Sequence, residues 1–132
     1  MLKLSKKWWY ALKAVLYIAE NNGKLFKIID LSKELNISES LLRRIISDLD
    51  RWWILLTIKG RAGWVKLWKD IKNISVFDIL YLSWEGLWIT DCTKWIFCEN
   101  IDSCVTTNLL WNLQKSFNWI LKLQTLDKII KQ

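Results

Sequence analysis

The sequence has 132 residues, with 20 Lys+Arg against 13 Asp+Glu, no histidine and a formal net charge of +7. That length suits one small domain with an appended element, not two independent cores. No stretch approaches the ~20 uncharged apolar residues of a membrane span, and Met1–Lys7 leads into no signal-peptide core, so a cytoplasmic protein is expected.

Residues 9–20 place apolar side chains at helical spacing and predict a first helix stopping near Gly23. A second helix is expected from Ile28 to Leu35, with Leu31 and Leu35 on one face. Asn36-Ile37-Ser38 then reads as a short turn whose Ser38 N-caps a third helix, Glu39 to Arg51. Leu41, Leu42, Ile45, Ile46 and Leu49 would face inward. Two helices joined this way have the outline of a helix-turn-helix, a pattern many helical proteins also contain. Leu55–Lys59, Gly60-Arg61-Ala62-Gly63 and Trp64–Leu67 follow as two strands around a glycine-bearing turn. A basic hairpin directly after such a helix reads as a wing, or as an incidental surface hairpin.

Residues 75–83 predict a short capped helix, followed by a polar loop to about Ser103. Val105 to Leu123 carries apolar residues at Leu109, Leu110, Leu113, Phe117, Ile120 and Leu121, which marks a long amphipathic helix. Its stripe can pack on its own domain, on a second copy, or on both. The expected fold is therefore mainly α, a winged helix-turn-helix with a small β-hairpin. It divides into a DNA-binding domain at 1–83, a cysteine loop at 84–104, and a dimerisation helix with its tail at 105–132.

Cys92, Cys98 and Cys104 are spaced C-x5-C-x5-C in that loop. An odd number of cysteines argues against a complete disulfide framework. The steps are too wide for the C-x2-C turns of most structural zinc sites, whereas three thiolates converging from a loop suit a soft metal centre such as an iron–sulfur cluster. Three unrelated loop cysteines remain the plain alternative. The basic excess suits a polyanion such as DNA, or serves solubility alone.

These features are similar to those of the IscR/NsrR-type (BadM-like) winged-helix iron–sulfur regulators. The matching stretches are Leu4–Lys7 leading into Tyr10-Ala11-Leu12, Ile37–Ser40, Lys59–Arg61, the cysteine loop, Leu110-Trp111 and Thr125-Leu126. The resemblance implies a homodimer with crossed C-terminal helices and recognition helices in successive major grooves of an operator. It also implies an iron–sulfur cluster, 2Fe–2S ahead of 4Fe–4S, on Cys92, Cys98 and Cys104, whose state changes DNA affinity. The histidine that some members place three residues after the last cysteine is Thr107 here, and position 8, where others draw a carboxylate from the partner, is Trp8. Asp91, Glu99 and Asp102 are the nearby acids, each also readable as a solvated loop residue. Arg43-Arg44 replace the acidic or amide residue common in the family.

Eleven tryptophans stand beside four glycines and no proline. Trp53 falls at a helix stop where a left-handed residue is expected, Trp64 sits beside Gly63 in the wing turn, Trp68 ends the second wing strand, and Trp84, Trp88 and Trp95 lie in loops, places where the backbone favours glycine. The resemblance implies glycine at Trp8, Trp53, Trp64 and Trp68, and a true tryptophan at Trp111. Glycine at most of these positions is expected if UGA codons, written as tryptophan, are read as glycine in the cell. The other reading is a Trp-rich protein with aromatic core or base-stacking surfaces.

The functional expectation is a DNA-binding transcription regulator sensing iron–sulfur status, redox state or nitric oxide. Ser38, Ser40, Arg43 and Arg44 are the candidates for base or phosphate contact, and Lys59 and Arg61 for the backbone or minor groove. Two rivals stand beside it: a thiol- or zinc-based regulator without a cluster, and a winged-helix protein–protein module. An enzyme is not expected, because no histidine, nucleophile–base pair or phosphate-cradling loop is present.

Overall fold

The computed structural model describes residues 6–21, 24–60, 63–82, 88–89, 93, 98–100 and 102–130. The first helix, α1 (Lys6–Glu20), begins three residues earlier than its apolar pattern suggests. It buries Ala11, Ala14, Val15, Ile18 and Ala19, the stripe of a 3.6-residue period. The three alanines on that stripe let neighbouring helices approach closely.

A two-residue strand, β1 (Phe26–Lys27), leads into α2 (Ile28–Leu35). Asn36 ends α2 at φ +55°, a left-handed conformation that asparagine tolerates. The Ile37 amide donates to the Ser32 carbonyl, and the Ser32 hydroxyl donates to the Ile37 carbonyl at 2.6 Å. Ile37 is buried, so the three-residue turn is both hydrogen-bonded and anchored in the core.

The next helix, α3 (Glu39–Arg51), buries Leu42, Ile45, Ile46 and Leu49. Leu41, expected inward, packs only half-buried on the core edge. Ser38 occupies the N-cap, yet its side chain makes no capping bond; its carbonyl accepts from the Leu42 amide. At the other end the Trp53 amide donates to the Asp50 carbonyl and the Ile54 amide to the Leu49 carbonyl. That is a Schellman stop, with Trp53 at φ +65° in the place that favours glycine.

Strands β2 (Leu55–Ile58) and β3 (Trp64–Leu67) pair antiparallel, Leu55 opposite Leu67 and Ile58 opposite Trp64. β1 adds to the other edge of β3, giving the order β1-β3-β2, a third strand that two residues of sequence did not announce. Gly63, not Trp64, takes the positive φ (+64°) at the hairpin, and Trp64 is extended within β3. A glycine-demanding backbone is therefore found at Trp53 but not at Trp64.

A 3-10 turn (Ile71–Asn73) precedes α4 (Val76–Leu82). Ser75 and Asp78 cap α4 reciprocally: the Ser75 amide donates to Asp78 Oδ2 at 3.0 Å and the Asp78 amide to Ser75 Oγ at 3.2 Å. The long helix α5 (Thr107–Leu123) starts two residues later than its apolar pattern suggests, and Val105 lies almost fully in solvent. A final helix, α6 (Leu126–Ile130), returns to the body. Its Leu126 is fully buried in the main core, while Trp8, Val76 and Leu80 form a second core with Phe117 and Leu121 against them.

Candidate nucleic-acid interface and cysteine loop

The inward face of α3 is apolar, so its other face is polar by periodicity. Ser38, Ser40, Arg43 and Arg44 are all exposed there, and Lys59 is exposed just past β2. Arg61 lies outside the described residues. Two contacts set the hairpin against α3: Asp50 Oδ2 accepts from Thr57 Oγ1 at 3.2 Å, and Asp50 Oδ1 from the Thr57 amide at 3.3 Å. The Ile28 amide donates to the Gly63 carbonyl, tying the root of β3 to α2. Between α3 and the hairpin runs a cavity of about 310 Å³, with Arg43, Ser47, Asp50, Lys59 and Trp64 among its walls. Lys27 Nζ lies 5.3 Å from the centre of the Trp64 ring.

Arg43 is not loose on this surface. Its Nε donates to Glu39 Oε1 at 3.0 Å and its Nη2 to the same oxygen at 2.7 Å. Glu39 was missed as a site residue, although its four-residue spacing from Arg43 is a readable pairing signal. Asp50 carries no such signal, because the placement of its partner Thr57 against α3 is set by tertiary packing and not by local spacing.

Of the three cysteines, Cys92 lies outside the described residues, Cys98 is a half-buried free thiol and Cys104 an exposed one. Cys104 Sγ sits 3.1 Å from Thr106 Oγ1. The Thr106 hydroxyl first, then that of Thr107, lowers the Cys104 pKa to about 7, so much of this thiol is ionised at neutral pH. Thr107, at the position of the family's histidine, thus acts on the sulfur through its hydroxyl. Glu99 and Asp102 are exposed, and Asp91 is outside the described residues. Among the described residues no three His, Cys, Asp or Glu side chains converge as metal ligands. The chemistry of the donors nevertheless fits a soft metal: Cys104 is accessible and readily a thiolate.

The loop is tied to α5 by Gln114, a nearly fully buried side chain on the helix's inward stripe. Its Oε1 accepts from the Ile89 amide at 2.8 Å, and its Nε2 donates to Asn118 Oδ1 at 3.0 Å. The signal for Gln114 was a polar residue in register with Leu110, Phe117 and Leu121. A neighbouring stripe of α5 leaves Leu109, Leu113 and Ile120 exposed.

A helix-turn-helix followed by a paired hairpin and carrying a basic outer face defines a winged-helix, DNA-binding type of protein. Similarity to known proteins makes this specific. Residues 4–132 match the model of the Rrf2 family, described as iron-dependent transcriptional regulators, and the chain belongs to that family. It is 28% identical to Protein aau3 of Rhizobium meliloti over 98% of this chain and 86% of that one. It is likewise 28% identical to the HTH-type transcriptional regulator IscR of Klebsiella pneumoniae, over 98% of this chain and 80% of that one. Among solved structures, CymR, the global cysteine regulator of B. subtilis, superposes with a TM-score of 0.79 at 22% identity, covering 99% and 98% of the two chains. The expected winged fold and the IscR-type resemblance hold, and the relatives are transcription regulators, not enzymes. No helix among the described residues is long and apolar enough to cross a membrane.

Proposed function

We propose that this regulator is a cytoplasmic homodimer that binds a double-stranded operator through α3 and the hairpin and senses its signal at the cysteine loop. The observation that carries the reading is the exposed row of Ser38 at the N-cap of α3 and Ser40, Arg43 and Arg44 on the helix, flanked by Lys59 of the wing. Residues 1–83 act as the DNA-binding head, 84–104 as the sensor, and 105–132 as the dimerisation helix and tail. Leu109, Leu113 and Ile120 supply the apolar face that a second α5 covers.

Cys92, Cys98 and Cys104 would hold an iron–sulfur cluster, 2Fe–2S ahead of 4Fe–4S, supplying a centre responsive to iron–sulfur status, redox state or nitric oxide. The similarity to IscR and the family's description support this assignment. With no histidine in the chain, the fourth ligand differs from that of histidine-bearing members. A second reading has a specific observation behind it: the exposed Cys104, lowered to about 7, suits direct thiol chemistry, and the fold is that of CymR.

Iron and acid-labile sulfide measured on anaerobically purified protein decide between the two. Stoichiometric iron and sulfide, lost on Cys98→Ser, support the cluster. Protein free of both, which instead forms a disulfide on oxidation or takes up zinc, supports the thiol reading. Failure to bind any duplex at low salt favours a protein–protein module over both.

A further inference from the structure

The Glu39–Arg43 pair lies at the first turn of α3, the end of a recognition helix that meets base edges. On stability grounds an exposed pair of this kind is nearly idle. Its geometry is the informative part. Arginine carries five N–H donors; Nε and one donor of Nη2 are turned onto Glu39 Oε1. Of the three donors left over, two lie on the Nη1/Nη2 edge.

That edge has a defined place. A Cβ built on Gly63 would stand 3.2 Å from Arg43 Nη1 and 3.9 Å from Nη2. The guanidinium therefore lies against the bare backbone at the root of β3, in the wall of the cavity between helix and wing. It is held on one side by a carboxylate and on the other by a glycine that leaves room for it. With its Nε edge occupied, the arginine keeps its Nη1 and Nη2 donors at the cavity wall beside Gly63, and a pair of such donors fits guanine O6 and N7 in the major groove. The nearby carboxylate also repels phosphate, which discourages the same arginine from binding DNA without regard to sequence.

We propose that Glu39 is a positioning residue that sets sequence preference, by holding Arg43 as a reader of one guanine in each half-site. The proposal rests on the reading that α3 enters the major groove. The probe is a randomised duplex library, from which wild-type protein, Glu39→Gln and Arg43→Ala are each used to select binding sites. Selected and random duplexes are then titrated across a salt series.

Wild type is expected to select one near-invariant guanine per half-site. Arg43→Ala loses that guanine. Glu39→Gln keeps the arginine but weakens the preference by about tenfold. It also binds random duplex more tightly, with a salt slope steeper by ~0.9 for each protomer whose Arg43 turns to phosphate. A helix-stabilising role for Glu39 would lower all affinities together and move neither the base preference nor the slope. If Glu39→Gln selects the same guanine with the same slope while Arg43→Ala loses it, the role of Glu39 is refuted and the α3 reading stands. If Arg43→Ala leaves both selection and affinity unchanged, the α3 reading falls, and this inference with it.

Discussion

Replacing Trp53 by glycine should stabilise the protein relative to replacing it by alanine, against the usual order for a helix interior. Trp53 occupies the left-handed position of the Schellman stop of α3 at φ +65°. For an L-residue this conformation costs roughly 1–2 kcal/mol through the clash of Cβ with the following carbonyl. Glycine removes the clash but adds unfolded-state freedom worth about 0.4–1 kcal/mol. The Trp53 ring lies 6.5 Å from that of Trp68, and both are exposed, so losing it costs about 0.5 kcal/mol, the low end for aromatic pairs. Both variants lose the ring, and only glycine relieves the backbone. The difference between them is about 1 kcal/mol, which at this chain length corresponds to roughly 4 °C in Tm. Thermal melts at matched protein concentration measure it. Equal melting of Trp53→Gly and Trp53→Ala would show that the left-handed residue carries no strain.

The question of what the cell inserts at the tryptophan codons has a direct answer in the mass of native peptides spanning positions 53 and 64. Glycine at both is the outcome expected from UGA recoding, and tryptophan at both refutes it. Lys59→Ala should weaken binding to selected and random duplexes alike and flatten the salt slope by ~0.9 per protomer, measured by titration. A change in sequence preference instead would move Lys59 from the backbone to a base. Leu113→Asp places a charge in the exposed stripe of α5 and should raise the dimer dissociation constant by roughly a hundredfold or more, read by sedimentation, with helix content unchanged. In the metal-free protein, alkylation of Cys104 should rise with pH to a midpoint near 7, because the depressed pKa brings the reactive thiolate in at lower pH. Thr106→Val removes the hydroxyl that lies 3.1 Å from the sulfur and should move the midpoint up toward an ordinary thiol.

The helices α2 and α3, the turn between them and the hairpin were legible because each follows from neighbours within a few residues. The stripe Leu42, Ile45, Ile46 and Leu49 needs only the helical period, and Asn36 and Gly63 stand where the backbone turns left-handed. The cysteine spacing was equally plain, though most of the 84–104 loop lies outside the described residues. Local reasoning misjudged ends and exceptions. It started α5 on Val105, which projects into solvent, and it assigned the strained wing position to Trp64, one residue past Gly63. It gave Ser38 a side-chain capping bond that the structure does not make.

What the sequence by itself determined is the chemistry available: a basic excess, two neighbouring arginines on one helix face, three thiols in one loop and an amphipathic final helix. Tertiary structure alone decided how those groups are held. β1 pairs with β3 across about forty positions of chain, Asp50 fastens α3 to the hairpin through Thr57, and Gln114 on α5 grips the loop at Ile89. Arg43 meets Gly63 only because α3 and the hairpin pack together. Periodicity and turn preference are properties of a few consecutive residues, whereas these contacts join segments distant in sequence and exist only once the shared core has closed between them.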